Sequence, residues 1–175
     1  MAKTTRGLVI INTGNGKGKT TAALGMALRA WGNDMKVVVV QFVKRSDSNY
    51  GEHKAARRIG LEMVTEGAGF VFAEKDATPH KRLALEQWHV AQEKLSSGAY
   101  DLVVLDEITY PLQFGWIPVE EVVQVLKQRP PGLHVVITGR NAPQALIDFA
   151  DTVAEIRDVK HHFRQGIKAQ PGVEM

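Results

Sequence analysis

The sequence contains no cysteine, so neither a disulfide bond nor a reactive thiolate is available to it. That composition suits a reducing compartment. No apolar run approaches the roughly 20 residues that a membrane-spanning helix needs. The residues after Met1 lead into the first predicted strand without the hydrophobic core of a signal peptide. We therefore expect a cytoplasmic protein with no membrane association.

The chain also has little excess charge of either sign. Its 22 basic and 19 acidic residues leave a net charge of +3, and the basic residues are scattered apart from a basic tail over 157–175. Such weak, dispersed charge argues against a nucleic acid as the main partner. With 175 residues, 44% of them hydrophobic, the chain can bury a core. We expect residues 1–175 to form a single domain.

A glycine-rich segment, Thr13–Thr21, follows a short apolar run and precedes a helical pattern. Its Gly-Lys-Thr ending is typical of a phosphate-binding loop, in which backbone N–H groups face an anion, Lys19 adds positive charge and Thr20 offers a hydroxyl to magnesium. The usual G-x-x-x-x-G-K-[ST] pattern begins with glycine, whereas this chain has Thr13. We therefore expect an unusually shaped loop.

Apolar runs and helical patterns alternate along the rest of the chain, as β-α-β units require. This pattern predicts an α/β fold of the P-loop NTPase (RecA-like) class, with a mostly parallel sheet of five to six strands and helices on both faces. The predicted strands cover 8–11, 35–43, 61–65, 100–107, 133–138 and 152–156, and the predicted helices cover 20–31, 52–59, 79–97, 119–127 and 143–150.

Two further segments of interest lie at the carboxyl ends of predicted strands, where a parallel sheet binds its ligands. The apolar run from Tyr100 ends in Asp106 and Glu107, the form of a Walker B strand, whose carboxylate can hold magnesium directly or through water. Arg140 follows the strand at 133–138 and could bind a phosphate or a substrate carboxylate, or could form a structural ion pair.

Two aromatic residues, Phe70 and Phe72, lie among glycines in the segment 66–74. They could fold onto the core or present a flat apolar face to a ligand. From the residues alone, an ordinary P-loop ATPase or small-molecule kinase remains open. A nucleotide-dependent nucleic-acid-binding module, with these rings as a stacking surface, remains open as well, although the weak net charge argues against it.

Taken together, the motifs resemble the P-loop type of ATP:corrinoid adenosyltransferase, which acts on cob(I)yrinic acid a,c-diamide or cob(I)alamin. The resemblance runs from Gly7 to about Gly172, and Thr13 is what this family shows. It depends on separated segments in one order: 13–23, 40–44, 51–52, 69–72, 104–110, 138–140, 150–153, 159–161 and 166–170.

The resemblance implies transfer of the 5′-deoxyadenosyl group of ATP to the Co(I) centre of a corrinoid, with release of triphosphate. It implies ATP as co-substrate, Mg²⁺ (or Mn²⁺) as the metal and the corrinoid as substrate. It also implies a homodimer, with an electron-donor flavoprotein as a partner. The aromatic segment would exclude the lower ligand of cobalt, and Phe72 stands where tryptophan is common in the family.

The resemblance also assigns site residues. It implies catalytic roles for Lys19, Thr20 and Glu107, and metal binding by Thr20 and Glu107, with Asp106 behind Glu107. The residues that it assigns to ATP are Gly14, Asn15, Gly16, Lys17, Gly18, Lys19, Thr20, Thr21 and Arg29. Those that it assigns to the corrinoid are Gly69, Phe70, Phe72 and Arg140.

Overall fold

Six β-strands form one sheet in which every neighbouring pair is parallel. This computed structural model describes residues 6–45, 50–67 and 78–173, except for the side chains of residues 45, 66 and 67. The strands follow the order β3-β2-β4-β5-β1-β6. They are β1 (Val9–Thr13), β2 (Val37–Arg45), β3 (Glu62–Gly67), β4 (Leu102–Asp106), β5 (His134–Thr138) and β6 (Thr152–Glu155).

Helices connect the strands, and most of them lie close to their predicted positions. They are α1 (Lys19–Trp31), α2 (Gly51–Ile59), α3 (Thr78–Ser96), α4 (Thr109–Gln113), α5 (Val119–Gln128) and α6 (Gln144–Phe149). The sequence did not predict α4, because its five residues are too few for a helical period. In the described ranges, no helix combines the length and the apolar character that crossing a bilayer requires.

The sheet is covered on both faces, as the sequence predicted. On one face, Ala23, Ala27 and Ala30 of α1 pack against valines and a leucine of the central strands. On the other, α3, α5 and α6 contribute the larger side chains of the core, among them Trp88 and Leu126. All five residues of β4 are consequently buried, which explains its continuous apolar sequence.

A row of polar side chains crosses the carboxyl edge of the sheet on the α1 face. Val39, Val104 and Val136 face α1. Because side chains alternate along a strand, Gln41, Asp106 and Thr138, two residues further on, face α1 as well. Gln41 lies opposite Asp106 in the register of β2 and β4. The row therefore lies on the face of the sheet that α1 covers, where α1 contacts β1, β2, β4 and β5.

The loop after β1 is held by the chain that follows β6. The N–H of Ile156 donates to the carbonyl of Thr13 over 2.8 Å, and the N–H of Gly16 donates to the carbonyl of Ile156 over 2.7 Å. A Cβ at Gly16 would lie 2.5 Å from the carbonyl oxygen of Arg157. Gly16 is therefore required by the close approach of a second backbone.

Thr13, which stands in place of the usual glycine, also has a structural role. Its side chain is buried, and its Oγ1 accepts a hydrogen bond from the N–H of Ala142 over 3.1 Å. This contact joins the loop after β1 to the loop after β5. A glycine at position 13 would leave the N–H of Ala142 without this partner.

We predict that Gly16→Ala lowers the free energy of unfolding by about 1–3 kcal/mol, because the methyl group collides with backbone that cannot turn aside. Gly25→Ala is the matched control: Gly25 lies on the exposed side of α1, and a Cβ there meets nothing within 4 Å. It should stabilise the protein slightly, since alanine favours a helix interior. Urea denaturation measures both, and equal effects would contradict the role assigned to Gly16.

Candidate active site at the carboxyl edge of the sheet

The phosphate loop joins β1 to the first turn of α1. Gly14 and Gly18 have φ angles of 95° and 115°, which side-chain-bearing residues rarely adopt. Gly18 caps α1 without a side-chain hydrogen bond, so the first N–H groups of the helix are suited to an anion. The N–H of Gly16 is bonded to Ile156 instead. One of the N–H groups of the loop is therefore bonded within the protein, and the prediction that others face an anion stays a prediction.

Lys19 is buried at the base of this loop, and its ammonium donates to the carbonyl of Gly16 over 2.8 Å. Burial lowers the pKa of Lys19, and the charge of Arg140 adds to this, while Glu107 and Asp106 oppose it. The ammonium therefore lies among charged groups of both signs. Its position beside the loop is the one that the sequence predicted.

The other residues assigned to ATP do not all lie near the phosphate loop. Asn15, Lys17 and Thr21 are exposed around the loop and the first turn of α1. Arg29 is exposed in the last turn of α1, about 15 Å along the helix from Lys19 at 1.5 Å per residue. The structure thus does not bring Arg29 to the loop.

The carboxylate of Asp106 accepts three side-chain hydrogen bonds within the site. Its Oδ1 accepts hydrogen bonds from the hydroxyls of Thr20, over 2.8 Å, and Thr138, over 2.7 Å. Its Oδ2 accepts from Nε2 of Gln41 over 2.9 Å. Only 1% of Asp106 is exposed, so these three donors compensate for the burial of a carboxylate. They join α1, β2 and β5 to the end of β4.

Glu107, the second acid, lies just beyond β4 in a different backbone conformation. Its φ angle is 61°, which is uncommon for a residue other than glycine. Its N–H donates to the hydroxyl of Thr138 over 2.9 Å. Within the described part of the chain, no side chain donates to its carboxylate. Glu107 is therefore open to a ligand, whereas Asp106 is occupied by the protein.

Burial raises the pKa of Glu107, and the neighbouring charge of Asp106 raises it further. The positive charges that oppose this rise are those of Lys19, Arg140 and Lys44. Residues at the start of α1 and at or just beyond the carboxyl ends of β2, β4 and β5 therefore share one electrostatic environment. An additional cation at this point would favour the ionised form of Glu107.

Arg140 follows β5 with an exposed side chain, and it forms no ion pair with the residues that the structure describes. The structural ion pair considered from the sequence is therefore not present among them. Its carbonyl accepts from Nε2 of Gln113 over 2.7 Å, which holds the backbone. The preceding Gly139 has a φ angle of 141°, and a Cβ there would lie 1.9 Å from Oγ1 of Thr109. Gly139 thus lets this loop pack on α4.

An ion pair at the end of β2 fixes the start of α2. Lys44 donates to the carboxylate of Glu52, and its ammonium lies 4.9 Å from the ring centroid of Tyr50. Although burial opposes it, this hydrogen bond with Lys44 lowers the pKa of Glu52. The contact gives the lysine at the end of β2 and the glutamate at the start of α2 a shared structural role.

Sequence reasoning assigned no role to three polar side chains of the site. Gln41 interrupts the apolar run of β2, Thr138 ends β5, and His53 lies in α2 with its Nε2 2.6 Å from Oε1 of Gln41. A polar residue that ends or interrupts a buried strand is the signal that could have pointed to the first two. Nothing in the sequence pattern pointed to His53.

The aromatic segment assigned to the corrinoid, with Gly69, Phe70 and Phe72, lies outside the described residues. Its role stays a prediction.

The donor set of the site suits magnesium. Among the described residues, no group of three or more His, Cys, Asp or Glu side chains could hold a metal ion alone. Thr20, Asp106 and Glu107 offer only oxygen atoms. Magnesium is usually held by one or two carboxylates together with substrate phosphates, rather than by an all-protein cage. The residues present therefore fit a nucleotide-bound magnesium ion.

A sequence model of the family described as ATP:corrinoid adenosyltransferase BtuR/CobO/CobP matches residues 5–175. The chain belongs to this family. It is a transferase that uses ATP to adenosylate corrinoids, which confirms the family expected from the sequence.

Curated relatives align over nearly the whole chain. The corrinoid adenosyltransferase of Escherichia coli strain K12 is 43% identical over 173 residues, covering 99% of this chain and 88% of the relative. That of Salmonella typhimurium strain LT2 is 41% identical over 173 residues, with the same coverage. That of Pseudomonas aeruginosa strain PAO1 is 42% identical over 175 residues, covering 99% and 86%.

A solved structure supports the fold class. The flagellar accessory protein FlaH of Methanocaldococcus jannaschii superposes with a TM-score of 0.59 at 14% identity, covering 86% of this chain and 71% of that chain. At this identity the likeness concerns the fold alone. It agrees with the α/β P-loop class predicted from the sequence.

We predict that Glu107→Gln stabilises the protein at neutral pH. Because the folded-state pKa is raised, the carboxyl is protonated in both folded and unfolded chains below about pH 4, where it costs no stability. As the pH rises, ionising the buried group opposes folding, and glutamine removes that cost. The Tm of the variant should exceed that of the wild type at pH 7 but not at acidic pH.

The matched control is Glu93→Gln, which changes an exposed glutamate of α3. Its Tm should follow that of the wild type at both pH values. A Glu107→Gln shift of the same size at neutral and acidic pH would contradict the electrostatic explanation.

Proposed function

We propose that this protein transfers the 5′-deoxyadenosyl group of ATP to the Co(I) centre of a corrinoid and releases triphosphate. The observation that carries the proposal is the hydrogen bond between Thr20 and Asp106, which joins the phosphate loop to the Walker B strand with Lys19 and Glu107 alongside. Family membership supplies the reaction class.

In this reaction the nucleophile is the metal of the substrate. A Co–C5′ bond forms with the electron pair of Co(I), and the bond from C5′ to the triphosphate oxygen breaks, with its electron pair leaving on triphosphate. The protein therefore needs no general base. Its contributions are orientation of the ribose carbon and stabilisation of charge on the departing triphosphate.

The phosphate loop is the part of the chain suited to that charge. We assign the triphosphate to residues 14–21, with the Lys19 ammonium beside it. Lys19 Nζ lies 2.8 Å from the Gly16 carbonyl, so its positive charge is held within the loop itself. Arg29 stays a predicted nucleotide-binding residue, although it lies at the far end of α1.

Thr20 and Glu107 are the residues that we propose to hold Mg²⁺, or Mn²⁺, with Asp106 behind them. When bound, the ion would neutralise triphosphate charge. The Thr20 hydroxyl gives its hydrogen to Asp106, so its lone pairs are left for another partner. In the protein alone, the pKa of Glu107 is raised. A cation bound beside its carboxyl group would lower this pKa and favour the ionised form, which is the form that binds metal.

For the corrinoid, we propose binding by Gly69, Phe70, Phe72 and Arg140. The two aromatic rings would exclude the lower ligand of cobalt, which makes four-coordinate Co(II) easier to reduce to Co(I). An electron-donor flavoprotein would supply the electron. Arg140 supports this assignment because its side chain is exposed just beyond the carboxyl end of β5.

We further propose that the protein acts in the cytoplasm as a homodimer of single-domain subunits. The exposed apolar side chains of the tail support the proposed dimer: Val159, Phe163 and Ile167 are 90%, 72% and 48% exposed in the single chain. Such side chains are suited to burial against a partner subunit.

The proposal is tested by an anaerobic assay with ATP, Mg²⁺ and chemically reduced cobalamin. The corrinoid spectrum is followed, and the phosphate product is identified by anion-exchange chromatography. We expect light-sensitive adenosylcobalamin and triphosphate in equal amounts. Release of ADP without a change in the corrinoid spectrum would contradict the proposal and indicate an ordinary ATPase or kinase.

Two variants separate the roles of the two parts of the site. Lys19→Ala should abolish transfer to any corrinoid, whereas the exposed Lys127→Ala of α5 should keep it. Phe70→Ala should impair turnover that starts from Co(II) with a reductant, and should spare turnover of chemically prepared Co(I). Equal losses from both starting states would contradict the role proposed for Phe70.

A further inference from the structure

A chain of buried side chains connects α2 to the Walker B aspartate. Nε2 of His53 lies 2.6 Å from Oε1 of Gln41, and Nε2 of Gln41 lies 2.9 Å from Oδ2 of Asp106. The three residues are 5%, 0% and 1% exposed, respectively. Beyond Asp106, the chain continues to the hydroxyl of Thr20 at the start of α1.

Chemistry fixes the direction of every hydrogen bond in this chain. An ionised carboxylate can only accept, so the amide of Gln41 must present its NH₂ group to Asp106. Its carbonyl oxygen then faces His53 and can only accept, so the imidazole must carry its proton on Nε2. The side-chain orientation of Gln41 is thus determined from both ends.

The same reasoning fixes the hydrogens of the two hydroxyl groups that contact Asp106. The hydroxyl of Thr138 accepts from the N–H of Glu107, so its own hydrogen points to Asp106. Thr20 likewise directs its hydrogen to Asp106. Its remaining lone pairs are then turned away from the carboxylate, as binding a cation through this oxygen requires.

We propose that His53 is a positioning residue for the magnesium–nucleotide site. By donating to Gln41, it holds the amide in the orientation that Asp106 needs, and Asp106 in turn holds the hydroxyl of Thr20. His53 touches none of the reacting atoms. This inference rests on the proposed binding of MgATP at Thr20 and Glu107.

Loss of the His53 donor removes one of the two contacts that orient Gln41. If the amide rotates, its oxygen faces Oδ2 of Asp106, and two acceptors meet in a buried site. The carboxylate then keeps only its two donors on Oδ1, so its orientation, and with it that of the Thr20 hydroxyl, is fixed less firmly. Changes to such outer-shell partners typically weaken metal binding or activity about 10–100-fold.

Three variants test this role. His53→Leu removes the donor, whereas His53→Gln places an NH₂ group near the position of Nε2. The matched control is Gln87→Met, because Gln87 is fully buried and donates to the backbone carbonyls of Gln41 and Val64 rather than to Asp106. It removes a buried amide that bonds the backbone of β2, and it leaves every side-chain hydrogen bond from His53 to Thr20 in place.

The measurement is calorimetric titration of each variant with ATP, once with Mg²⁺ and once with EDTA. We expect His53→Leu to weaken binding of MgATP by about 10–100-fold, and binding of metal-free ATP by less than about three-fold. His53→Gln should stay within about three-fold of the wild type for MgATP, as should Gln87→Met. Equal weakening with and without Mg²⁺, or no rescue by glutamine, would overturn the proposal.

A second measurement does not depend on the reaction at all. The ¹⁵N shifts of the His53 imidazole report which nitrogen carries the proton, and we expect the Nε2–H form. The Nδ1–H form would overturn the proposal, because Gln41 would then be reversed. A wild-type protein that shows the Nε2–H form but makes no adenosylcobalamin would instead contradict the proposed function.

Discussion

The site depends on one buried carboxylate and the donors around it. Asp106 belongs to β4, yet its partners come from the phosphate-loop helix, from β2 and from β5. A buried charge is tolerated only when such donors replace the water that it has lost. The position of Asp106 therefore fixes the distance between the start of α1 and the carboxyl edge of the sheet, and the rest of the site is built on that distance.

The two adjacent acids have opposite environments, and this divides their roles. Asp106 is saturated by hydrogen bonds from the protein, so the role that we propose for it toward ligands is to orient Thr20. Glu107 leaves the strand with a positive φ angle, its carboxylate takes no hydrogen bond from the described side chains, and burial raises its pKa. A cation bound there would remove the cost of ionising Glu107. The site thus holds one acid that organises the protein and one that is suited to the ligand.

The sequence predicted the parts of the site that lie together along the chain. The phosphate loop, the Walker B acids and the order of the strands and of the helices other than α4 follow from local composition and periodicity. The network around Asp106 could not be predicted in the same way, because Gln41, Asp106 and Thr138 meet only through the strand order β2-β4-β5. The hydrogen bonds between Ile156 and the phosphate loop likewise depend on pairing between β1 and β6. A polar residue within one buried strand can indicate such a contact, but the sequence of that strand does not identify the partner on the next strand.

Backbone contacts fix the loops of this edge to one another. Thr13 binds the N–H of Ala142, Gly16 binds Ile156, and Gly139 packs on Thr109 without room for a Cβ. For a reaction in which the nucleophile belongs to the substrate and the protein supplies no base, geometry is the main contribution that the chain can make. Fixed loops serve that purpose because the donors and charges need little rearrangement as triphosphate leaves. Glycine and threonine at these positions are therefore part of the chemistry, although none of their contacts reaches a reacting atom.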